Sequence, residues 1–188
     1  MIQPNSELII DYELVRNNIQ LIREKISPSS KFMAIIKSDS YGHILSNIVR
    51  DIDDIVDGYG VVRLEEAITI RKISSKKILL MQGVYSQSDF KEARNNSLDL
   101  VIHNSLQFSL VKDNDSYENL WFKINTGMNR LGFPPDQVDY LIENLNANPN
   151  VSGITLMTHF ATADEKEGIT KQLDCFNRVT NNYNFSIF

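Results

Sequence analysis

The stretch Met33-Ala34-Ile35-Ile36-Lys37-Ser38-Asp39-Ser40-Tyr41-Gly42-His43 joins a short apolar run to a lysine and a polar turn. Apolar runs of this kind recur along the chain, at residues 32–36, 60–62, 78–81, 98–102, 120–124 and 153–157. Each run is continuous rather than alternating, which is typical of parallel strands that are buried on both faces. The sequence therefore predicts six parallel strands.

Longer stretches with helical spacing of their apolar residues lie between these runs, at residues 11–25, 64–73, 137–145 and 172–180. Strands that alternate with helices predict an α/β protein with a parallel sheet. A doubly wound sheet would carry a phosphate loop such as G-x-G-x-x-G after its first strand, and the sequence has no such loop.

Polar side chains instead follow several different strands, which is typical of a (β/α)8 TIM barrel. Lys37 and Tyr41 follow the first run, Lys123 and Arg130 lie at and beyond the fifth, and His159 follows the sixth. The chain has 188 residues, fewer than the roughly 250 that are typical of this barrel. We therefore predict an incomplete (β/α)8 barrel of about six β/α units.

Composition narrows the possible partners. The net charge is −5 and the 19 basic residues are scattered, which argues against a nucleic-acid surface. Cys175 is the single cysteine, so an intramolecular disulfide is excluded, and no Cys/His cluster has the spacing of a metal site. Without a signal-peptide pattern or a long apolar segment, the sequence predicts a cytoplasmic protein with no membrane partner.

Lys37 is the first candidate for chemistry. Burial at the end of an apolar strand lowers the pKa of a lysine amine, which favours Schiff-base formation with an aldehyde cofactor. The alternative is a lysine whose stem packs at the strand end while its ammonium reaches water.

Three blocks of sequence decide between these alternatives. Residues 37–43, Lys-Ser-Asp-Ser-Tyr-Gly-His, resemble the cofactor-lysine segment of alanine racemases. Residues 123–132, Lys-Ile-Asn-Thr-Gly-Met-Asn-Arg-Leu-Gly, are similar to the Lys-x-Asp-Thr-Gly-Met-x-Arg-Leu-Gly segment of that family. Residues 157–164, Met-Thr-His-Phe-Ala-Thr-Ala-Asp, are similar to a third family segment. The resemblance runs from residue 7 to about residue 174.

This resemblance implies a pyridoxal 5'-phosphate (PLP) cofactor and a role for each matching residue. Lys37 would form the Schiff base and serve as one of two catalytic bases. Tyr41 would contact the cofactor phosphate, Arg130 the ring hydroxyl, and His159 would pack near the ring. Lys123 matches a lysine that is carbamylated in some members.

The sequence departs from the family pattern at two positions. Asn125 stands where the family usually has aspartate, which removes a negative charge near Arg130 and Lys123. We expect this change to alter the positioning of the arginine or the carbamylation of the lysine. Asn129 stands where the family often has a smaller residue.

The resemblance further implies interconversion of L- and D-alanine through a PLP aldimine and an α-carbanion, which supplies D-alanine for peptidoglycan. Family members are homodimers whose C-terminal β-domain contributes the second base. Residues 1–188 are predicted to form a partial N-terminal PLP-binding barrel domain without that β-domain, and hence a fragment that is inactive alone. Residues 181–188 do not resemble the family's continuation.

Two alternatives remain open at the level of the sequence. One is a stand-alone PLP-binding barrel of vitamin B6 homeostasis, which the blocks at residues 123–132 and 157–164 disfavour. The other is a non-catalytic fragment that associates with racemase subunits. His43 and His103 are predicted to be structural, and Trp121 is predicted to pack in the core.

Overall fold

The computed structural model describes residues 7–112, 117–181, 183 and 186–187. Strands and helices alternate throughout this part of the chain, as the sequence predicts. The strands are β1 (Met33–Ile35), β2 (Gly58–Val61), β3 (Lys77–Leu80), β4 (Asp99–Ile102), β5 (Leu120–Lys123), β6 (Ile154–Met157) and β7 (Ser186–Ile187). The helices are α1 (Tyr12–Arg23), α2 (Leu45–Ile52), α3 (Leu64–Arg71), α4 (Gln87–Asn95), α5 (Ser105–Lys112), α6 (Val138–Asn146) and α7 (Thr170–Thr180). A short turn of 3-10 helix, Pro135–Gln137, precedes α6.

Each of the six predicted strands is present within one or two residues of its expected bounds. All residues of β2, β4 and β5 are buried, which agrees with the prediction that both faces of these strands are covered. The sequence analysis missed α2, α4 and α5. It also missed β7, which lies among the residues expected to depart from the family pattern.

The chain packs as two compact units, residues 1–78 and 79–188. In the first unit β1 and β2 are parallel and pair Met33 with Gly58 and Ile35 with Gly60. Their core consists of fully buried side chains from α2, β2 and α3, namely Val49, Ile52, Tyr59, Val61, Ala67 and Ile70.

Two arginines of α1 attach this helix to the segment between α2 and β2. The Arg23 guanidinium lies 2.6 Å from the Asp57 carboxylate, which also accepts the Phe32 N–H at 2.7 Å. Arg16 makes a two-pronged contact with Asp54 at 2.7 and 2.8 Å, at a more exposed position. The Asp57 carboxylate therefore accepts hydrogen bonds both from α1 and from the residue that precedes β1.

In the second unit the last two residues of β3 and the strands β4, β5, β6 and β7 form one parallel sheet in sequence order. Lys123, the last residue of β5, pairs with Met157, the last residue of β6, so these two strands end at the same level. The loops that follow β5 and β6 therefore begin side by side. Among the described helices, none has the length and apolar character of a membrane span.

We expect Asp57→Asn to destabilise the first unit by about 1–2 kcal/mol, because it weakens two charge-assisted hydrogen bonds at a half-buried carboxylate. Asp54→Asn is the matched control and should have a much smaller effect, since its ion pair is exposed. Urea denaturation at pH 7 measures both free energies of unfolding. Equal effects of the two substitutions would contradict this assignment.

The contacts of Asp57 also predict that the stability of the first unit depends on pH. Partial burial acts to raise the pKa of Asp57, but the hydrogen bonds from Phe32 and Arg23 outweigh it and hold the pKa below its ordinary value of 3.8. The stabilisation by Asp57 is thus complete above pH 3.8 and is lost as the pH falls through the lower folded-state pKa. The stability difference between the wild type and Asp57→Asn should shrink over that acid range.

Candidate functional site

Lys37 lies two residues beyond β1, where the chain leaves the sheet of the first unit. The Ile36 N–H donates to the Gly60 carbonyl at 3.0 Å and makes the last sheet contact before the lysine. Lys37 itself is half-buried, and its Nζ lies 5.9 Å from the centre of the Tyr41 ring, within the range of a cation–π contact. The structure thus places Lys37 and Tyr41, two of the predicted site residues, next to each other.

The backbone between these two residues forms a left-handed helical turn within Lys37–Gly42. The four residues 38–41 have φ between +54° and +56°, and none of them is glycine. This conformation costs L-residues roughly 1–2 kcal/mol each, so it persists only where other contacts hold it. His43 closes the turn, since its backbone N–H and its Nδ1 both lie within hydrogen-bond distance of the Ser40 carbonyl.

Further hydrogen bonds hold the turn against the start of α2 and α3. The buried Ser40 donates its N–H to the Ile36 carbonyl at 3.0 Å. The Asp39 carboxylate accepts the Leu45 N–H at 2.7 Å, and the Asp39 N–H donates to Glu66 Oε1 at 3.2 Å. Both ends of the strained turn are therefore fixed, and with them the positions from which Lys37 and Tyr41 extend.

Lys123 is the central charged residue of the second unit. It ends β5 with only 7% of its surface exposed, and no ion pair that we observe in the described part of the chain includes it. Burial lowers the pKa of Lys123, and the positive charge of Arg130 lowers it further. The structure thus places the predicted Lys123 and Arg130 close enough to repel each other.

The loop after β5 turns back onto its own strand. The Phe133 N–H donates to the Lys123 carbonyl at 2.9 Å, and the Asn125 N–H donates to the Phe133 carbonyl at 2.8 Å. Gly132 permits this return, because it has φ +114° and a Cβ there would lie 2.9 Å from the Asn125 nitrogen. The Phe133 ring stacks on Phe122, with ring centres 4.9 Å apart.

Asn125, the departure from the family's aspartate, orders the inside of this loop. Its Oδ1 accepts the N–H groups of Gly127 at 3.1 Å and Asn129 at 3.0 Å, and its Nδ2 donates to Asn129 Oδ1 at 3.0 Å. The two positions that depart from the family pattern are therefore in direct contact. The amide oxygen of Asn125 supports the loop that carries Arg130 without adding a negative charge.

His159 lies two residues beyond β6, and Thr158 connects that segment to the loop after β5. The Thr158 hydroxyl donates to the Ile124 carbonyl at 2.9 Å and lies 2.7 Å from the hydroxyl of the buried Thr126. His159 thus follows directly after a residue that is bonded to the loop carrying Arg130. The sequence analysis did not identify either threonine, because their contact spans 32 residues of chain.

The buried His103 lies at the ends of β3 and β4 and bonds to several polar groups. The Nε2 of His103 is 3.1 Å from the Gln82 carbonyl and 3.3 Å from the Tyr85 hydroxyl, while the His103 N–H donates to Gln107 Oε1 at 3.0 Å. Burial lowers the pKa of His103, and the positive charge of Lys123 lowers it further. The hydrogen bond to the Gln82 carbonyl acts in the opposite direction and raises the pKa. The structure agrees with a structural role for His103. Its partner Gln107, four residues later, is a signal that the sequence analysis overlooked.

These residues give two groups of candidate ligands, one in each unit. In the first unit Lys37 offers a primary amine and Tyr41 an exposed hydroxyl. In the second unit the exposed Arg130 offers a guanidinium beside Lys123. A primary amine can react with an aldehyde, and a guanidinium can bind an anion. No group of metal-ligating side chains occurs among the described residues.

Comparisons with known proteins agree with this arrangement. Residues 10–187 match the family described as alanine racemase, N-terminal domain. The alanine racemase of Shewanella sediminis is 39% identical over 174 residues, which cover 89% of this chain and 48% of that protein. The alanine racemase of Mannheimia succiniciproducens is 38% identical over 157 residues, which cover 81% of this chain and 43% of that protein.

Solved structures give the same result. The crystal structure of biosynthetic alanine racemase from Pseudomonas aeruginosa superposes with a TM-score of 0.86 at 32% identity. The superposed region covers 90% of this chain and 49% of the Pseudomonas aeruginosa chain. This likeness confirms the predicted fold class, an incomplete (β/α)8 barrel. The match to residue 187 shows that the expected end of the resemblance near residue 174 was wrong. The chain spans about half the length of the curated relatives it matches.

In buffer free of carbon dioxide, where Lys123 carries no carbamate, we expect Lys123→Met to raise the free energy of unfolding by about 1 kcal/mol at pH 7, because methionine fills a similar volume without a buried ammonium near the charge of Arg130. The folded-state pKa of Lys123 lies below 10.5, so the cost of the ammonium is complete below that pKa and disappears as the pH rises towards 10.5. The stability advantage of Lys123→Met over the wild type should therefore shrink as the pH rises. Urea denaturation at several pH values tests this, with the exposed Lys91→Met as control. A destabilised Lys123→Met would be the contrary result.

Proposed function

This chain belongs to the family of alanine racemase N-terminal domains, and on that premise we propose that it binds pyridoxal phosphate through Lys37 as part of an enzyme that interconverts L- and D-alanine. The observation that carries the proposal is the strained left-handed turn after β1, which holds Lys37 and Tyr41 in contact. Runs of strained backbone are concentrated at functional sites, where the surrounding contacts hold a geometry that the function needs.

The side chains present fit the cofactor. Its aldehyde needs a primary amine, and Lys37 supplies one at a half-buried strand end. Its phosphate needs donors at the surface of the site, and the exposed Tyr41 hydroxyl is one. Its ring hydroxyl, when ionised, needs a cation, and the exposed Arg130 is the candidate.

Lys123 and His159 complete the proposed site, the first beside Arg130 and the second beside the cofactor ring. Lys123 lies buried next to Arg130, and its lowered pKa makes its amine available for carbamylation, which would convert a repulsive neighbour into an anionic one. His159 extends from the segment that Thr158 bonds to the Arg130 loop, and we propose that it packs beside the cofactor ring.

The bound cofactor supplies an electron sink for the substrate carbanion. Lys37 would then hold or move a proton at the α-carbon, from the one face that its side chain reaches. Inversion requires a second base on the opposite face, because a proton returned to the same face restores the starting enantiomer. We propose that this base lies in the half of the relatives that the chain does not match, so that the 188-residue chain does not racemise alanine alone.

The wider role follows from the substrate. D-alanine made in the cytoplasm would serve peptidoglycan synthesis, and in a homodimer the second base would come from the partner. A PLP-binding protein without turnover remains as an outcome of the experiment below, whereas a fragment that associates with racemase subunits would co-purify with an intact racemase.

We expect the chain, when it is incubated with PLP and reduced with borohydride, to carry the pyridoxyl adduct on Lys37, as located by peptide mass spectrometry. Lys37→Ala should lose the adduct, whereas Lys77→Ala is a matched control that should keep it. Tyr41→Phe should weaken PLP binding about tenfold, the cost of roughly one hydrogen bond to a charged group. Adducts spread over many lysines, or alanine racemisation by the 188-residue chain, would refute the corresponding part of the proposal.

A further inference from the structure

The loops after β5 and β6 carry Arg130 and His159, and one hydroxyl joins these loops. We call residues 124–132 the β5 loop and residues 158–169 the β6 loop. The last backbone bond between the two strands runs from the Ile124 N–H to the Met157 carbonyl at 2.9 Å. Beyond it, the contacts of Thr158 extend the connection into the loops.

The direction of the hydrogen bonds at Thr158 follows from counting protons. A hydroxyl has one proton, and that of Thr158 goes to the Ile124 carbonyl at 2.9 Å. In the 2.7 Å contact with Thr126, the Thr126 hydroxyl must therefore be the donor. The order is Thr126 to Thr158 to Ile124, and both Thr126 and Ile124 are buried. Removal of the Thr158 hydroxyl breaks two bonds in the β5 loop at once.

The β5 loop keeps its own shape around this anchor. Asn125 accepts two backbone N–H groups and donates to Asn129, so the arc between these two asparagines is closed by three hydrogen bonds. Asn129 has φ +58°, which this clamp helps to maintain. Thr126 lies inside the arc and Arg130 follows it directly. A displacement of Thr126 therefore moves the backbone from which Arg130 extends.

The β6 loop is also held from within, by bonds that do not involve Thr158. The buried Gln172 of α7 accepts the Ala161 N–H at 2.8 Å. The Thr162 hydroxyl donates to the Gly168 carbonyl at 2.7 Å. Gln172 also lies near Gly127 of the β5 loop, where a Cβ would be 3.5 Å from its Cγ. The Thr158 hydroxyl, in contrast, forms hydrogen bonds to the β5 loop itself.

We propose that Thr158 is a positioning residue whose hydroxyl sets the Arg130-bearing loop against the His159-bearing loop. The proposal rests on the proposed function in one respect, which is that Arg130 and His159 serve the same bound PLP. A threonine next to His159 suits this task, because the hydroxyl bond and the histidine side chain then share one short piece of backbone.

The test compares Thr158→Val, which keeps the shape and removes the hydroxyl, with Thr158→Ser, which restores it. Amide hydrogen exchange is measured on the full chain without cofactor. We expect Thr158→Val to raise exchange at Gly127 and Asn129 by about five- to tenfold, and Thr158→Ser to remain near the wild type. Thr162→Val is the matched control, since it removes hydroxyl bonds to Gly168 and Gln172 and none to the β5 loop. Melting curves at the same pH identify a variant that has lost its fold.

PLP affinity, measured by titration and borohydride trapping at Lys37, is the second measurement. We expect Thr158→Val to weaken it about tenfold, Thr158→Ser to retain it and Thr162→Val to leave it within about twofold. Exchange that rises only in the β6 loop, or that rises equally in Thr162→Val, would overturn the proposal. A wild type that traps no PLP on Lys37 would overturn the proposed function instead, and the exchange result would still decide whether Thr158 couples the loops.

Discussion

Burial of the strands on both faces is the constraint on which the other features depend. The residues of β2, β4 and β5 are buried, and polar side chains among them are paired, as Trp121 is with Asp99. An unpaired charge in the middle of these strands would therefore be costly. Parallel strands place equivalent ends at one edge, and the paired last residues of β5 and β6 show this directly. Lys123 occupies such an end, and Lys37 and His159 each lie two residues beyond one.

The strand ends are supported in two different ways. After β1 the chain accepts four residues of left-handed backbone, and hydrogen bonds from Asp39 and Ser40 offset the strain. After β5 the chain returns onto its own strand through Gly132, and the side chain of Asn125 orders the arc inside. In both cases short-range bonds fix the backbone from which a candidate site residue, Lys37 or Arg130, extends.

The sequence predicted the strands well and the supports poorly, for physical reasons. Continuous apolar runs mark β1 to β6, since a strand buried on both faces cannot be polar. The helix α4 was missed because most of its residues are polar and only Phe90 and Ala93 are buried. The sequence motif proposed Lys37 and Arg130 as site residues, but it did not predict the left-handed turn, because residues 38–41 include no glycine. The pairing of Thr126 with Thr158 depends on the register of β5 and β6, which no local pattern encodes.

Asn125 shows how a change of charge can leave geometry intact. Its amide oxygen accepts the same kind of backbone donors that a carboxylate would accept, so the loop keeps its shape. Burial and the positive charge of Arg130 lower the pKa of Lys123, and a neutral amide at position 125 adds no negative charge that would raise it. The bonds of Asn125 thus order the loop that carries Arg130, while an effect on the carbamylation of Lys123 stays a prediction.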